Sequence, residues 1–290
     1  MKLVSFGDRG RERAGVLVDE MVVELGVIDS SLPESVGAIL EKGALDALAG
    51  AAAKSRSTLE HGRQGVWNLN EVRLGPPITN PSKVICLGLN YADHAREQKK
   101  EPPEKPLLFS KAPSALSGPA DPIVIPKQDD KVDCEAELAV VIGKAARNIS
   151  EGEAMKAVAG YMVFNDVSAR HIQRSERQWF RGKSFDTFAP CGPALVTADE
   201  VPDPHSLAIS SRVNDEYMQR STTSELIFKI PYVVSYISRS MTLRPGDIIA
   251  TGTPAGVGVF RDPPRFLKPG DIVAIEIGGI GRIENEVVAE

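Results

Sequence analysis

The sequence predicts an α+β protein dominated by β-structure, with a small α/β domain ahead of a larger β-rich one. Short apolar runs bounded by turn residues recur after residue 80, as expected for strands. Two Pro-Gly-Asp turns, at 245–247 and 269–271, each precede such a run. Three prolines within residues 75–82 oppose both helix and central strand. We therefore expect domains at 1–75 and 80–290.

Individual elements follow from the local pattern. The N-terminal part predicts strands at 2–6, 15–18 and 21–25, and an Ala/Leu-rich helix at 36–54. In the larger domain the pattern predicts strands at 84–87, 123–125, 135–142, 160–164, 194–196, 207–213, 247–250 and 271–277.

Composition narrows the class of partner. The 290 residues carry a net charge of -5, so no basic surface for nucleic acid or an anionic membrane is expected, and small molecules are the expected partners. Three widely spaced cysteines form neither a disulfide framework nor a CxxC pair, which predicts a reducing, cytoplasmic location. Charged residues interrupt the N-terminus early and no apolar run reaches about 20 residues, so neither secretion nor membrane insertion is expected.

Glu135 and Glu137 stand at the start of an apolar run, and alternation places both on one face of a strand. One interpretation is a strand end that protrudes into water with solvated carboxylates. The other is a cleft, where two carboxylates about 6.6 Å apart would repel by about 2.5 kcal/mol unless a cation lay between them. The chain has no HxxxH or CxxC pair and its four histidines are scattered, so such a cation would be Mg²⁺ or Mn²⁺ rather than zinc.

Asp166 follows an apolar strand and precedes a helical segment. It is either the N-cap of that helix or a third oxygen ligand for the cation. Arg170 and Gln173 follow at i+4 and i+7, so one helical face would present an acid, a guanidinium and an amide; a plain Asp-Arg salt bridge is the alternative.

His94 and Glu97 are expected to be neighbours on a helix that Asn90 caps. A carboxylate that holds an imidazole in one tautomer is the pattern of a general base acting on water. A surface His/Glu pair is the alternative.

Two further stretches could contribute to ligand binding or catalysis. Residues 182–184, Gly-Lys-Ser, lack the upstream glycine of a phosphate-binding loop, so Lys183 is either a solvated lysine or a cation that meets a developing enolate. Residues 251–258 hold three glycines and two threonines after an apolar strand. That loop is suited to binding a carboxylate through backbone N–H groups and hydroxyls, or is a plain tight loop.

Five motifs follow one another along the chain: GLNYADHxxE from residue 88, DxExELAVVIG from 133, FNDVSARxxQ from 164, GKSFDTFxPxGP from 182 and TGTPxGVG from 251. In this order they resemble the fumarylacetoacetate hydrolase family over residues 84–290. The resemblance implies a β-rich roll of mixed sheets with few helices, assembled as a homodimer. It also implies a divalent-metal site at Glu135, Glu137 and Asp166, a catalytic dyad at His94 and Glu97, an active-site lysine at Lys183, and substrate contacts at Arg170, Gln173, Thr253 and, less specifically, Lys111.

One difference from the family pattern indicates which branch of the family the chain resembles. Family members that act on fumarylacetoacetate itself place a fourth carboxylate just upstream of the histidine, whereas residues 86–90 contain no acid. The chain is therefore more similar to the acylpyruvate hydrolase and oxaloacetate decarboxylase branches.

The resemblance implies a Mg²⁺- or Mn²⁺-dependent hydrolase that cleaves a C–C bond in an acylpyruvate, a 2,4-dioxo acid. The dyad would draw a proton from water, hydroxide would attack the distal carbonyl, and pyruvate would leave as its metal-bound enolate, with Lys183 neutralising charge. The same site would serve decarboxylation of oxaloacetate or isomerisation of a 2-hydroxy-dienoate. A non-catalytic ligand-binding protein stabilised by a cation is an alternative of a different class.

Overall fold

A computed structural model describes residues 1–55 and 64–290. The strands are β1 (Lys2–Phe6), β2 (Arg13–Val18), β3 (Met21–Glu24), β4 (Val66–Asn68), β5 (Val84–Gly88), β6 (Leu107–Lys111), β7 (Leu116–Ser117), β8 (Ile123–Ile125), β9 (Val132–Asp133), β10 (Ala136–Ile142), β11 (Val158–Asn165), β12 (Ser168–Ala169), β13 (Ala189–Thr197), β14 (Ala208–Val213), β15 (Glu216–Thr222), β16 (Ile248–Ala250), β17 (Ile272–Ile277) and β18 (Gly281–Ala289). The α-helices are α1 (Leu25–Ile28), α2 (Val36–Glu41), α3 (Leu45–Ser55), α4 (Ala92–Glu97), α5 (Glu151–Ala154), α6 (Arg170–Ser175), α7 (Phe180–Lys183) and α8 (Ile230–Ser240).

Most of these strands belong to two sheets. Among the described residues, an 11-stranded mixed sheet runs in the order β4-β3-β2-β1-β13-β11-β10-β16-β5-β6, with β7 added beside β13. A 5-stranded sheet has the order β15-β14-β17-β18-β8. Strand β10 is buried along its whole length, and a continuous apolar core lies around it. The β-rich α+β class predicted from the sequence is confirmed.

The N-terminal strands extend the main sheet, because β1 pairs with β13 in antiparallel register, Lys2 opposite Val196. The domain division at 75–80 stays a prediction. The single helix expected at 36–54 is instead two helices, α2 and α3. Gly43 separates them with φ +63, a left-handed conformation that ends a helix and that glycine adopts without a steric penalty.

Both Pro-Gly-Asp turns have the predicted role and the same geometry. Asp247 Oδ2 accepts the N–H of Arg244 at 2.7 Å, and Asp271 Oδ2 accepts that of Lys268 at 2.8 Å. The aspartate side chain thus closes each turn, and β16 and β17 begin at the next residue. In the described part of the chain, no helix has the length and apolar character needed to cross a membrane.

Candidate active site

Four strand ends meet at one edge of the main sheet. Strand β10 runs antiparallel to both β11 and β16, so its first residues lie beside the last residues of those two strands. Strand β5 runs parallel to β16 and ends at the same edge. Sheet topology therefore brings residues 133–137, 165–166, 251–258 and the loop into α4 together, although they are far apart in sequence.

Three carboxylates form the centre of this edge. Glu135 precedes β10, Glu137 lies on it, and Asp166 follows β11. One oxygen from each lies within 4.8 Å of the others, and all three residues are buried. The alternative of solvated carboxylates at a protruding strand end is excluded, since Glu137 is only 1% exposed.

Lys183 lies between two of these carboxylates. Its Nζ donates to Glu135 Oε2 at 2.8 Å and to Asp166 Oδ2 at 2.6 Å. Burial alone would lower the pKa of Lys183, but the charges of Asp166 and Glu135 raise it above its ordinary value. Lys183 is therefore a buried ammonium and not a solvated lysine.

The pKa values of Glu135 and Glu137 are shifted in opposite directions. Burial would raise the pKa of Glu135, but Arg170 and Lys183 hold it well below its usual range. Burial, then the charges of Asp166 and Glu135, raise the pKa of Glu137 well above its usual range. Within the described residues Glu137 has no ion pair, and it accepts one hydrogen bond, from the N–H of Gly252 at 2.8 Å. Glu137 is the carboxylate whose charge is least compensated.

Arg170 is directed toward the carboxylates before β10 and not toward Asp166. Its Nη2 donates to Glu135 Oε1 at 2.5 Å and to Asp133 Oδ2 at 3.1 Å, and its Nη1 donates to Gln173 Oε1 at 3.0 Å. The expected helical face shared by Asp166, Arg170 and Gln173 is wrong, because α6 begins only at Arg170 and β12 intervenes. Asp166 is likewise not a helix cap, since the N-cap of α6 is Ala169.

Lys111 contacts the carboxylate cluster through Asp166. Its Nζ donates to Asp166 Oδ1 at 2.6 Å and to the carbonyl of Val167 at 3.1 Å, and the side chain is fully buried. Burial lowers the pKa of Lys111, with Asp166 opposing that effect. Lys111 is not among the residues that line the cavity described below, so the structure places it against Asp166 and not against a substrate.

His94 and Glu97 form the expected pair on α4. His94 Nδ1 lies 2.9 Å from Glu97 Oε2, and the other carboxylate oxygen accepts the N–H of Gly256 at 2.9 Å. Because an ionised carboxylate only accepts, this geometry requires the proton on Nδ1 in neutral His94 and leaves the lone pair on Nε2. The side-chain nitrogen of Gln98 lies 2.8 Å from Nε2 and donates to that lone pair.

The expected capping role of Asn90 is wrong. The N-cap of α4 is Tyr91, and no side chain caps that helix. The Asn90 side chain instead donates to the carbonyl of Thr251 at 2.8 Å and accepts the N–H of Phe228 at 2.8 Å. It therefore ties the segment that carries the dyad to the loop after β16, because tertiary partners compete successfully with the local cap.

The loop 251–258 grips carboxylates of the protein itself. Its N–H groups bond to Glu137 through Gly252, to Glu97 through Gly256 and, at 3.2 Å, to Asp133 through Gly258. The loop does donate backbone N–H groups to carboxylates, as predicted. The carboxylates that accept them are side chains of the protein itself. At Gly256, φ is +100 and an added Cβ would lie 2.1 Å from the carbonyl oxygen of Met218, so only glycine fits there.

Two supporting residues escaped the sequence analysis. Asp133 accepts bonds from Arg170, from Gly258 and, at 2.8 Å, from Val259. Gln219 is 1% exposed; its Oε1 accepts the N–H of Ala136 at 2.9 Å and its Nε2 donates to Thr253 Oγ1 at 2.7 Å. Asp133 is visible as the first acid of the DxExE pattern, whereas no local signal marks Gln219.

Some of these groups, including His94, Glu135, Glu137 and Lys183, line one cavity of about 450 Å³. Thr253, whose hydroxyl proton is not used by Gln219, also lines it. Aromatic side chains, Phe109, Trp179 and Phe260, also line it. The lining residues include His94, Gln98, Phe109, Glu135, Glu137, Arg170, Gln173, Trp179, Lys183, Thr253 and Phe260.

The donor set fits a hard divalent cation. Carboxylate oxygens are the ligands that Mg²⁺ and Mn²⁺ prefer, and Glu137 is a buried carboxyl that forms no ion pair among the described residues and whose raised pKa opposes its ionisation. Within the described chain, no residue donates to the second oxygen of Glu137. A dication shared among the three carboxylates would supply the missing compensation.

The chain is similar in sequence and in fold to known proteins. The family model described as "Fumarylacetoacetate (FAA) hydrolase C-terminal" matches residues 83–288. The mitochondrial oxaloacetate tautomerase of Xenopus laevis is 45% identical over 99% of this chain and 90% of the relative. Maleylpyruvate hydrolase from Sphingobium, solved in complex with manganese (II) ion and pyruvate, is 31% identical with a TM-score of 0.82, over 100% of this chain and 99% of that one.

A third similar protein carries a different activity. The 2-hydroxyhepta-2,4-diene-1,7-dioate isomerase from Mycobacterium marinum is 34% identical with a TM-score of 0.77, over 100% of this chain and 99% of that one. Hydrolase and isomerase names thus occur on the same fold.

The predicted cytoplasmic location is wrong, because the oxaloacetate tautomerase relative is named mitochondrial. The prediction rested on three cysteines, which are all free and buried. Free thiols indicate a compartment in which thiols stay reduced, and that property does not single out the cytoplasm.

Proposed function

Since the chain belongs to the fumarylacetoacetate hydrolase family, we propose that it is a divalent-metal-dependent tautomerase that interconverts the enol and keto forms of a 2-oxo acid, with oxaloacetate as substrate. One observation carries the proposal. His94, with its Nε2 lone pair, and the carboxylates Glu135 and Glu137 line the same cavity. A base and a candidate metal site therefore face one bound molecule.

Glu135, Glu137 and Asp166 would hold Mg²⁺ or Mn²⁺. When bound, the cation supplies Lewis-acid polarisation of the 2-oxo group, which makes the neighbouring C–H acidic. The three carboxylates fix where that polarised end of the substrate lies. Lys111 and Lys183 hold Asp166 in place, since each donates to one of its two oxygens at 2.6 Å.

His94 would transfer the proton. Glu97 keeps the imidazole proton on Nδ1 and stabilises the imidazolium that forms when Nε2 accepts a proton from C3 of the substrate. A substrate C–H that reaches Nε2 takes the place of the Gln98 amide. To complete the enol, the enolate oxygen takes up a proton from solvent; in the enol-to-keto direction the enol oxygen releases its proton to solvent and the imidazolium delivers one to C3.

Lys183 and Thr253 would orient and stabilise the substrate. An ammonium has three donors, and Glu135 and Asp166 use two of those of Lys183, which leaves one for an oxygen in the cavity. The Thr253 hydroxyl has its proton free for the same purpose. Arg170 already donates to Glu135, Asp133 and Gln173, so its main effect would be to hold Glu135 and the Gln173 amide in position.

Hydrolytic C–C cleavage of an acylpyruvate is the second candidate. The dyad that moves a proton from carbon is also placed to draw one from water, and a maleylpyruvate hydrolase shares the fold. Tautomerisation is preferred because the relative named for it is more similar in sequence, at 45% against 31% identity.

The test follows the ultraviolet absorbance of the enol of oxaloacetate in the presence of Mn²⁺ or Mg²⁺. The proposal expects enzyme to accelerate the loss of enol absorbance, EDTA to abolish the effect, and no pyruvate to accumulate. Acetylpyruvate and maleylpyruvate are assayed in parallel. Release of pyruvate from them without acceleration of the oxaloacetate enol would replace tautomerase by hydrolase.

Assembly as a homodimer, implied by the family resemblance, is part of the proposal. Sedimentation equilibrium measures it against the chain mass of 31.2 kDa.

A further inference from the structure

The cations that line the cavity fall into two groups. Those at the buried end are neutralised: Lys183 by Glu135 and Asp166, and Arg170 by Asp133 and Glu135. None of these charges is left over for a second anionic group on a substrate.

Lys100 and Arg174 form the other group, and both are exposed. In the described part of the chain neither side chain takes part in a hydrogen bond, an ion pair or a cation–π contact. Glu176 is an acid on the same lining, but it accepts from Arg181 Nε at 2.6 Å and is thereby neutralised. The rim therefore carries two uncompensated positive charges.

The backbones of Lys100 and Arg174 are fixed by neighbouring helices. Lys100 follows α4, and its N–H donates to the carbonyl of Ala95 at 3.0 Å. Arg174 lies in the last turn of α6. The two cations are thus held on different elements that border the same cavity, while their side chains are free to move toward a ligand.

The walls between the buried end and the rim are apolar. Phe109 and Trp179 pack edge to face with ring centroids 5.2 Å apart, and Phe260 packs against His94. The phenyl rings give a substrate carboxylate no hydrogen bond and the Trp179 indole has a single neutral N–H, so desolvation of a carboxylate there would be costly. Among the described residues that line the cavity, only those at the rim offer a cation that is not already paired.

We infer that Lys100 and Arg174 form a subsite for a second carboxylate, which makes the enzyme selective for dicarboxylic over monocarboxylic 2-oxo acids. The inference rests on the proposed function, because it takes the 2-oxo acid end of the ligand to lie at Glu135, Glu137 and Asp166. Both rim cations are solvated, so each ion pair contributes modestly and is weakened by salt.

The test measures binding by calorimetry with Mn²⁺-loaded protein. The ligands are matched pairs, 2-oxoglutarate with 2-oxopentanoate and 2-oxoadipate with 2-oxohexanoate, which differ only in a distal carboxylate or methyl group. We expect wild type to prefer the dicarboxylate of at least one pair about tenfold, and Arg174→Gln and Lys100→Gln each to reduce that preference about threefold. Monocarboxylate affinity should stay unchanged, and Arg177→Gln, an exposed arginine that does not line the cavity, is the matched control.

The outcomes separate the two hypotheses. The subsite is refuted, and the proposed function stands, if wild type binds both members of each pair equally. The same holds if the variant that combines Arg174→Gln with Lys100→Gln keeps a preference within twofold of the wild-type preference. If Mn²⁺-loaded wild type binds none of the four ligands, the 2-oxo acid site itself is refuted. Thermal unfolding of each variant checks that a lost preference does not come from misfolding.

Discussion

Replacing Glu97 by glutamine tests whether the dyad controls the proton on His94. In the wild type, one carboxylate oxygen accepts from Gly256 N–H and the other from His94 Nδ1, both at 2.9 Å. A glutamine at this position keeps its oxygen toward Gly256, because the reverse orientation would set two donors against each other. Its NH₂ group then faces Nδ1 and forces the His94 proton onto Nε2.

The expected loss follows from these contacts. Restoring the Nε2 lone pair in the variant requires a buried donor to go unsatisfied, which costs about 1–3 kcal/mol. Loss of the negative charge beside the developing imidazolium adds a further contribution of about 1–2 kcal/mol, since charge-assisted hydrogen bonds are roughly twice as strong as neutral ones. Together these contributions, about 2–5 kcal/mol, predict a fall in kcat of roughly 30-fold to 5,000-fold, which overlaps the range for loss of a general base, with little change in KM.

The assay is steady-state loss of enol absorbance with saturating Mn²⁺. His94→Ala should be at least as slow as Glu97→Gln, and the double variant no slower than His94→Ala, because the two residues act as one unit. Glu104→Gln, an exposed glutamate outside the cavity, is the control. If Glu97→Gln kept kcat within threefold while His94→Ala lost activity, the tautomer argument would be refuted; if both kept it, His94 would not be the base.

Three further predictions concern stability. Lys111→Met should lower the free energy of unfolding by about 3 kcal/mol in urea, because it removes one of the two buried cations on Asp166; an unchanged midpoint would show that this ion pair contributes nothing net. Mn²⁺ at about 100 times its dissociation constant should stabilise the wild type by about 2.7 kcal/mol, and Asp166→Asn should lose most of the associated rise in Tm, whereas an equal rise in both would remove Asp166 from the metal site. Burial, and then Asp203, raises the pKa of Tyr161 to about 12, so between pH 10 and pH 12 the tyrosine ionises in the unfolded chain but not in the folded one. Stability is therefore lost as pH rises through that window, and Tyr161→Phe should remove about 2 kcal/mol of the loss, measured by urea unfolding at pH 9 and pH 11.5.

Local patterns in the sequence predicted those site features that depend on neighbours in the chain. Alternation placed Glu135 and Glu137 together, helical spacing paired His94 with Glu97, and the glycines at 251–258 indicated a loop that offers N–H groups. Strand β18 lies outside the predicted strands although its pattern is readable, since Ile283, Asn285 and Val287 alternate with exposed residues.

Features that depend on distant contacts were not predictable in this way. Gln219 reaches Ala136 across 83 residues of sequence, and nothing near either residue indicates the pairing. Helix α8, residues 230–240, is rich in β-branched and aromatic residues that favour strands, so its helical form is decided by packing of its apolar face, including Val233, Val234 and Ile237. The carboxylates that fill the loop after β16 likewise come from other elements.

The charge balance of the buried cluster links the metal to the substrate. Four carboxylates, Asp133, Glu135, Glu137 and Asp166, face three cations, Lys111, Arg170 and Lys183, so full ionisation would leave one buried negative charge. Burial, and then the charges of Asp166 and Glu135, raise the pKa of Glu137 in this cluster. A dication reverses the sign, because it leaves the cluster with one net positive charge, and the carboxylate of a 2-oxo acid neutralises it. Buried charge is stable only when it is paired, so the cation favours binding of the anionic substrate and the substrate favours retention of the cation. Metal and 2-oxo acid are therefore expected to bind cooperatively, and the cause is the number of fixed charges around Glu137.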